Sequence, residues 1–360
     1  DIRSISNNTM RSCKNLEESS TSGIFEIFVQ NETVDRFVFD SFVFENNECN
    51  NNDVNNERWM NGGGIGLLLE FSLLKKLSPS STEKVDIFID FNDCYFVSNK
   101  ATKYGGAFCF IENEQNSLYF SFNQCLIIGN KCDRLKGGAI FLSAKNVSFN
   151  GCYFDSNSDL DFQSNSLQFT SDEIVENSVI FINEIKYSDF SIVGTSFTNN
   201  KASIFYVNDL EKQLLIHQCH FYQNTVAIVD FVYYQKNDPS LTNHTIANSF
   251  IITVVSSKAL ITISNSLFES NFLHVVKLPN PIENDGLQLK ITNIKFGCIS
   301  IHTDAVVNIT NVNFLDDAIS GLLLRSKENV FIKDCNMLAS ADARSNNGGA
   351  LNIKTDQSVY

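Results

Sequence analysis

The chain has 360 residues, is 43% hydrophobic, and carries a formal net charge of −14. That balance repels phosphate backbones and anionic lipid surfaces, so neither nucleic acid nor a charged membrane is an expected partner. No stretch approaches the roughly 20 uninterrupted apolar residues of a membrane helix; the longest candidate, residues 65–77, is broken by Glu70, Lys75 and Lys76.

In chain order, residues 1–22 read as an irregular lead-in or cap, and residues 23–360 as one repetitive domain. The repeat shows itself through a phenylalanine followed three residues later by an asparagine: FENN ends at Asn47, FVSN (Phe96, Asn99), FDSN (Phe154, Asn157), FTNN (Phe197, Asn200), FYQN (Phe221, Asn224) and FESN (Phe268, Asn271). Worn copies are IIGN (127–130), FLDD (314–317) and MLAS (337–340). A period-2 apolar run precedes each copy, as in IDFNDCYF, FSFNQCLI and VSFNGCYF. Successive slots lie 31 residues apart from Phe96 to Ile127, 27 from Ile127 to Phe154 and 24 from Phe197 to Phe221. Gaps of 52, 43 and 47 elsewhere suggest either a decayed copy or a loop, and Phe296 reads as a slot between Phe268 and Phe314.

Short alternating strands with periodic corners every ~25 residues are the mark of a stacked array. The expected fold class is all-β: a parallel β-helix with loop excursions. About a dozen coils spaced about 4.8 Å apart would make a rod on the order of 55–60 Å long. DRLKGG and SGLLLRSKEN have room for a helical turn each. Glycine pairs at Gly62-Gly63, Gly105-Gly106, Gly137-Gly138 and Gly348-Gly349 suit sharp corners and close approach of coils, with Ala107, Ala139 and Ala350 then pointing into a tight interior. Each repeat phenylalanine should stack on its neighbours inside the rod. Each asparagine should sit at a corner, tolerate left-handed backbone and bond to the next in a ladder. The sequence begins at Asp1 and reaches Tyr360 soon after a repeat opening at Gly348, so the expectation is a polypeptide that continues further.

Glycine-glycine-alanine-apolar alternating with Phe-x-x-Asn, carried by YGGAFCF (104–110), KGGAIFL (136–142), FVSN and FDSN, resembles the repeat pair of the chlamydial polymorphic outer membrane proteins. The resemblance covers residues 37–157 well and 190–351 weakly. It implies a right-handed, pectin-lyase-like β-helix displayed outside the cell and engaged in adhesion or surface architecture. That makes this chain a structural or adhesive module of a larger protein, with protein or carbohydrate partners, neighbouring domains or copies of itself.

Enzymatic chemistry is the rival. β-Helical lyases need clustered carboxylates for Ca²⁺ and a proton-abstracting base, and hydrolases need facing carboxylates. Asp316-Asp317 reads as a corner and Asp86 with Asp90 as a solvated strand face. HQCH (217–220) invites zinc, but on a strand His217 and Cys219 share one face, His220 takes the other, and no second ligand cluster exists. No catalytic, metal or cofactor residue is therefore expected. A third possibility is an intracellular or organelle-associated scaffold.

Of ten cysteines, Cys94, Cys125 and Cys152 share a column with Cys219 and Cys335. Neighbours in it could be bridged, best as Cys94–Cys125 or Cys125–Cys152, or could stand as stacked free thiols. Sequons lie at Asn7, Asn31, Asn146, Asn243 and Asn308. About seven are expected from composition, so five is no enrichment; Asn31, Asn243, Asn308 and Asn146 are the candidate glycan acceptors. Asn-rich or polar excursions at 46–61, 77–84, 156–177, 233–245 and 277–286 are the expected binding side of the solenoid.

Overall fold

The structure, a computed structural model, describes residues 2–6, 9–11, 14–15, 36–49, 65–66, 86–101, 104–111, 117–132, 137–159, 178–182, 189–208, 210–229, 248–276, 295–317, 322–339 and 351–359. These form an all-parallel β-helix. Two ten-stranded sheets and one nine-stranded sheet make its three long faces. A five-stranded sheet adds a short fourth face over the first five coils. Among the described residues the two longest sheets mark ten coils, and nine steps of about 4.8 Å between them give a stack of about 43 Å.

One coil shows the plan. Ser117–Asn123 lies on the first face, Leu126–Ile128 on the second, Lys131–Cys132 on the fourth and Ile140–Ser143 on the third. On the first face it sits between Asp86–Asn92 and Asn146–Asn150. Alternation sets the faces: Phe120 and Phe122 point inward, and Tyr119, Ser121 and Asn123 outward. The main apolar core runs from Phe37 to Val330, and a second, smaller cluster is formed by Cys109, Phe141, Phe181 and Tyr206 of the third face.

Inside, Phe44 stacks on Phe96 at 5.2 Å, and Phe154, Phe197, Phe221, Phe268 and Phe314 stack in succession at 4.4–5.1 Å. Ile127 fills the slot between Phe96 and Phe154. A second file, Phe39, Phe91, Phe122 and Phe149, stacks on the first face at 4.9 Å per step and passes into Ile192, Ile216 and Ile263. Full burial of such a side chain contributes roughly 1.5–3 kcal/mol.

Several expectations are corrected. Residues 2–15 hold a coil of their own: Ile2–Ser6, Thr9–Arg11 and Lys14–Asn15 pair in parallel with the next coil, where an irregular lead-in was expected. The disguise is compositional, since Met10 occupies the phenylalanine register opposite Phe44 and Cys13 stands three residues later. Each long gap spans a single coil, because Phe44 pairs directly with Phe96, Phe154 with Phe197 and Phe221 with Phe268. Phe296 is not a slot; it lies on the third face beside Ser249, while Phe268 pairs with Phe314. Residues 322–326 form a strand, not a helical turn, because alternating Leu322 and Leu324 face the core. Residues 46–49 and 156–159 belong to the coil rather than to excursions. Gly62, Gly63, Gly348, Gly349, Ala350, Asn7, Asn31 and Asn243 lie outside the described residues.

Candidate functional site

The residues singled out by the repeat converge on one buried line at the corner after the second face. Asn47, Asn99, Asn130, Asn157, Asn200, Asn224 and Asn271 are all fully buried. Each Nδ2 donates to Oδ1 of the asparagine in the following coil at 3.0–3.1 Å, from Asn47 through to Asn271. Each backbone N–H donates to that same oxygen at 2.9–3.1 Å. The second Nδ2 hydrogen goes back to the carbonyl of the preceding coil's slot residue: Asn99 to Phe44, Asn130 to Phe96, Asn157 to Ile127. Backbone groups on both sides thus fix which amide atom is oxygen and which is nitrogen. An interior rung has two donated and two accepted bonds, so its amide is fully satisfied although dry.

The ladder asparagine is not the left-handed residue that its corner position suggested. The residue immediately before it is: Asn46, Ser98, Gly129, Ser156, Asn199, Gln223 and Ser270 have φ between 52° and 62°. A second left-handed series, including Asp93, Gln124, Gly151, Gly194 and Gln218, stands just before the cysteine column. Each coil therefore makes two kinks, and each swings the next side chain inward.

The glycine corner works differently. Gly105 and Gly137 adopt φ of 55° and 72°. Gly106 needs the space instead: a Cβ there would lie 2.3 Å from the Gly138 carbonyl oxygen and 2.6 Å from the backbone of Lys131. Gly138 follows in the same column and donates its N–H to Ser178 O. Ala107 and Ala139 are buried in the core.

Cys94, Cys125 and Cys152 are buried free thiols in one inward column, continued by Thr195, Cys219 and Ser266. Each sulfur lies between two carbonyl oxygens: Phe39 and Asn92 around Cys94, Phe91 and Asn123 around Cys125, Phe122 and Asn150 around Cys152, at 3.2–3.7 Å. Thr195 Oγ1 takes the same place between Phe149 O and Val193 O. A short inward donor, sulfur or oxygen, fills most of the column, although Phe42 and Val312 also occupy it after the same left-handed kink. Burial pushes the Cys125 thiol well above its usual pKa and Cys219 up to about 11.

Outside, chemistry-bearing residues are scattered. His217 and His220 both point outward, His217 Nδ1 2.9 Å from Ser264 Oγ and His220 Nε2 3.2 Å from Glu269 Oε2, while Cys219 points in. The kink at Gln218 reverses the face assignment that a continuous strand would give. Among the described residues no three His, Cys, Asp or Glu side chains gather as a metal site. Asp86 is exposed, but Asp90 is buried and paired with Arg36 Nε at 2.6 Å, so the two do not form one solvated face.

The first face also presents a surface feature invisible to local sequence. Phe88 and Tyr119, 31 residues apart, stack at 4.6 Å on the outside, with Phe88 39% exposed. Tyr119 Oη donates to Asp86 Oδ1 at 3.4 Å, and Lys145 Nζ lies 5.5 Å from the Tyr119 ring. Asn146 follows Tyr119 in the same outward column. Asn123 and Asn150 make a short outer amide ladder with Asn92, at 2.9 Å per step.

Compared with family models, with curated proteins and with solved structures, the chain matches none.

Proposed function

We propose that this chain is a non-enzymatic structural or adhesive module of an extracellular or cell-surface protein. The observation that carries this reading is the use made of the repeat's polar residues. Amides, thiols and hydroxyls that could act on a ligand are buried and bonded between coils. They hold spacing, and the outer faces remain free to vary. The likeness of the Gly-Gly-Ala and Phe-x-x-Asn alternation to the polymorphic outer membrane protein repeats supports the surface location and the adhesive role. Partners are then proteins or carbohydrates at a surface, neighbouring domains or further copies.

A second reading, an intracellular or organelle-associated scaffold, is favoured by the free thiols, which a reducing compartment preserves. Fractionation of the native source separates the two: surface labelling of intact cells supports the first, and recovery only from the interior overturns it. Beads coated with the purified chain should adhere to matrix or cell surfaces more than beads coated with unfolded chain. Turnover of polygalacturonate or a similar acidic polymer by the purified chain would sink the non-enzymatic reading in favour of a lyase or hydrolase.

A further inference from the structure

We propose that Asn146 and Asn308 are N-glycosylation sites, each provided by the fold with an outward aromatic bed for the first sugar. The inference rests on the extracellular reading for its occurrence in the native source, but its chemistry is carried by geometry. Both asparagines lie in first-face strands, Asn146–Asn150 and Val307–Thr310, and alternate outward. The hydroxyl residue of each sequon, Ser148 or Thr310, is two positions on and therefore on the same outer side. Asn146 Oδ1 accepts the N–H of Asp189 at 3.1 Å. Glycosylation leaves that oxygen an acceptor and uses Nδ2, which the bond does not involve.

The second observation is independent of the sequon. Among the described residues Phe88, Tyr95, Phe272 and Phe331 are exposed rings, and two of them, Phe88 at 39% and Phe331 at 37%, lie on the first face. Both belong to sequon neighbourhoods. Register places Tyr119 directly beside Asn146, with Phe88 next in the column. It places Phe331 directly beside Asn308. Neighbours in a column are about 4.8 Å apart, within reach of a sugar attached to the asparagine. Lys145 already sits near the Tyr119 ring and 4.0 Å from Asp86. A sugar on Asn146 is therefore next to the Tyr119 ring, which Phe88 backs on its far side, with Lys145 close by.

The donor is a lipid-diphosphate-linked oligosaccharide. Nδ2 bonds to the anomeric carbon, the carbon–oxygen bond to the diphosphate breaks, the diphosphate lipid leaves with that electron pair, and one amide proton is released.

The test is secretion of the whole chain from insect or mammalian cells behind a heterologous signal peptide, followed by glycopeptide mass spectrometry. Glycan is expected on both asparagines. Asn146→Gln and Ser148→Ala should each remove the first glycan, and Asn308→Gln and Thr310→Ala the second. Recovery of both asparagines unmodified from secreted, protease-resistant protein overturns the proposal. For the aromatic bed, enzymatic deglycosylation should lower the melting temperature by about 2 °C. That drop should vanish in a Phe88→Ser, Tyr119→Ser, Phe331→Ser variant; an equal drop in the variant overturns the packing. A cytosolic location of the native protein would fail the extracellular reading alone, because the recombinant experiment reads the competence of the two sites directly.

Discussion

At the scale of single residues, the buried amide is the most demanding element of the repeat. Removing the Asn157 side chain orphans two donors on Asn130 and takes the amide donor from the Ile127 carbonyl, while Oδ1 of Asn200 keeps only the Asn157 backbone N–H. Each buried orphan costs about 1–3 kcal/mol. Asn157→Ala is therefore expected to destabilise by at least ~3 kcal/mol, read from the urea midpoint. Asn150→Ala removes a half-buried outer amide that water can replace, and should cost under ~1 kcal/mol. The cysteine column is more permissive. Ser266 and Thr195 occupy it natively, so Cys219→Ser keeps a donor and should change stability by less than ~1.5 kcal/mol. It should also alter the alkaline limb. The folded Cys219 thiol has its pKa raised to about 11, so the unfolded chain loses that proton first as pH rises. Its contribution is complete below the ordinary thiol value and declines through the window up to about 11. Over two pH units that is up to ~2–3 kcal/mol, and the decline should be shallower in Cys219→Ser.

At the scale of the coil, two kinds of glycine make opposite predictions about room. Gly151 has φ of 62° but its nearest neighbour to an added Cβ is 3.7 Å away. Gly151→Ala should cost only the left-handed penalty of roughly 1–2 kcal/mol. Gly106 has no positive φ, yet a Cβ would strike two neighbouring segments of backbone. Gly106→Ala should cost more than ~3 kcal/mol, compared by thermal unfolding of the two variants. This difference also marks the limit of what the sequence discloses. The Phe-x-x-Asn slots were legible because both residue types are chemically conspicuous, and the ladder and phenylalanine files follow from their spacing. The first coil was hidden because Met10 stands in the phenylalanine register and the residue three positions on in sequence is Cys13, not asparagine. The outer pair Phe88–Tyr119 was hidden because nothing local relates residues separated by a whole coil. The face of Cys219 was misread because the kink at Gln218, an ordinary polar residue with φ of 55°, interrupts alternation without a glycine to announce it.

At the scale of the whole molecule, stability is the sum of coils and their contacts with nearest neighbours. Beyond the last coil the described residues hold only the start of another, a single bridge from Val359 to Val330, and Ile332, Cys335 and Ile353 are only partly buried where Ile309, Val312 and Leu324 are fully so. A solenoid of equivalent coils tolerates loss of a whole one. Deleting residues 125–151 joins Gln124 to Cys152, which follows an equivalent kink, and the shortened chain should keep its β circular dichroism and protease resistance. Deleting residues 125–150 leaves one extra residue, turns every following side chain out of phase, and should yield a protease-sensitive chain.

The amide file has one further property. From amide to amide the bonds all run one way, each rung from Asn47 to Asn224 donating to the oxygen of the next, so the molecule has a front and a back. A coil inserted the same way round would find donors meeting acceptors on both sides, whereas one inserted backwards would set oxygen against oxygen. Such a protein can be lengthened by tandem duplication of a coil-length segment, because each new rung then enters the file the right way round.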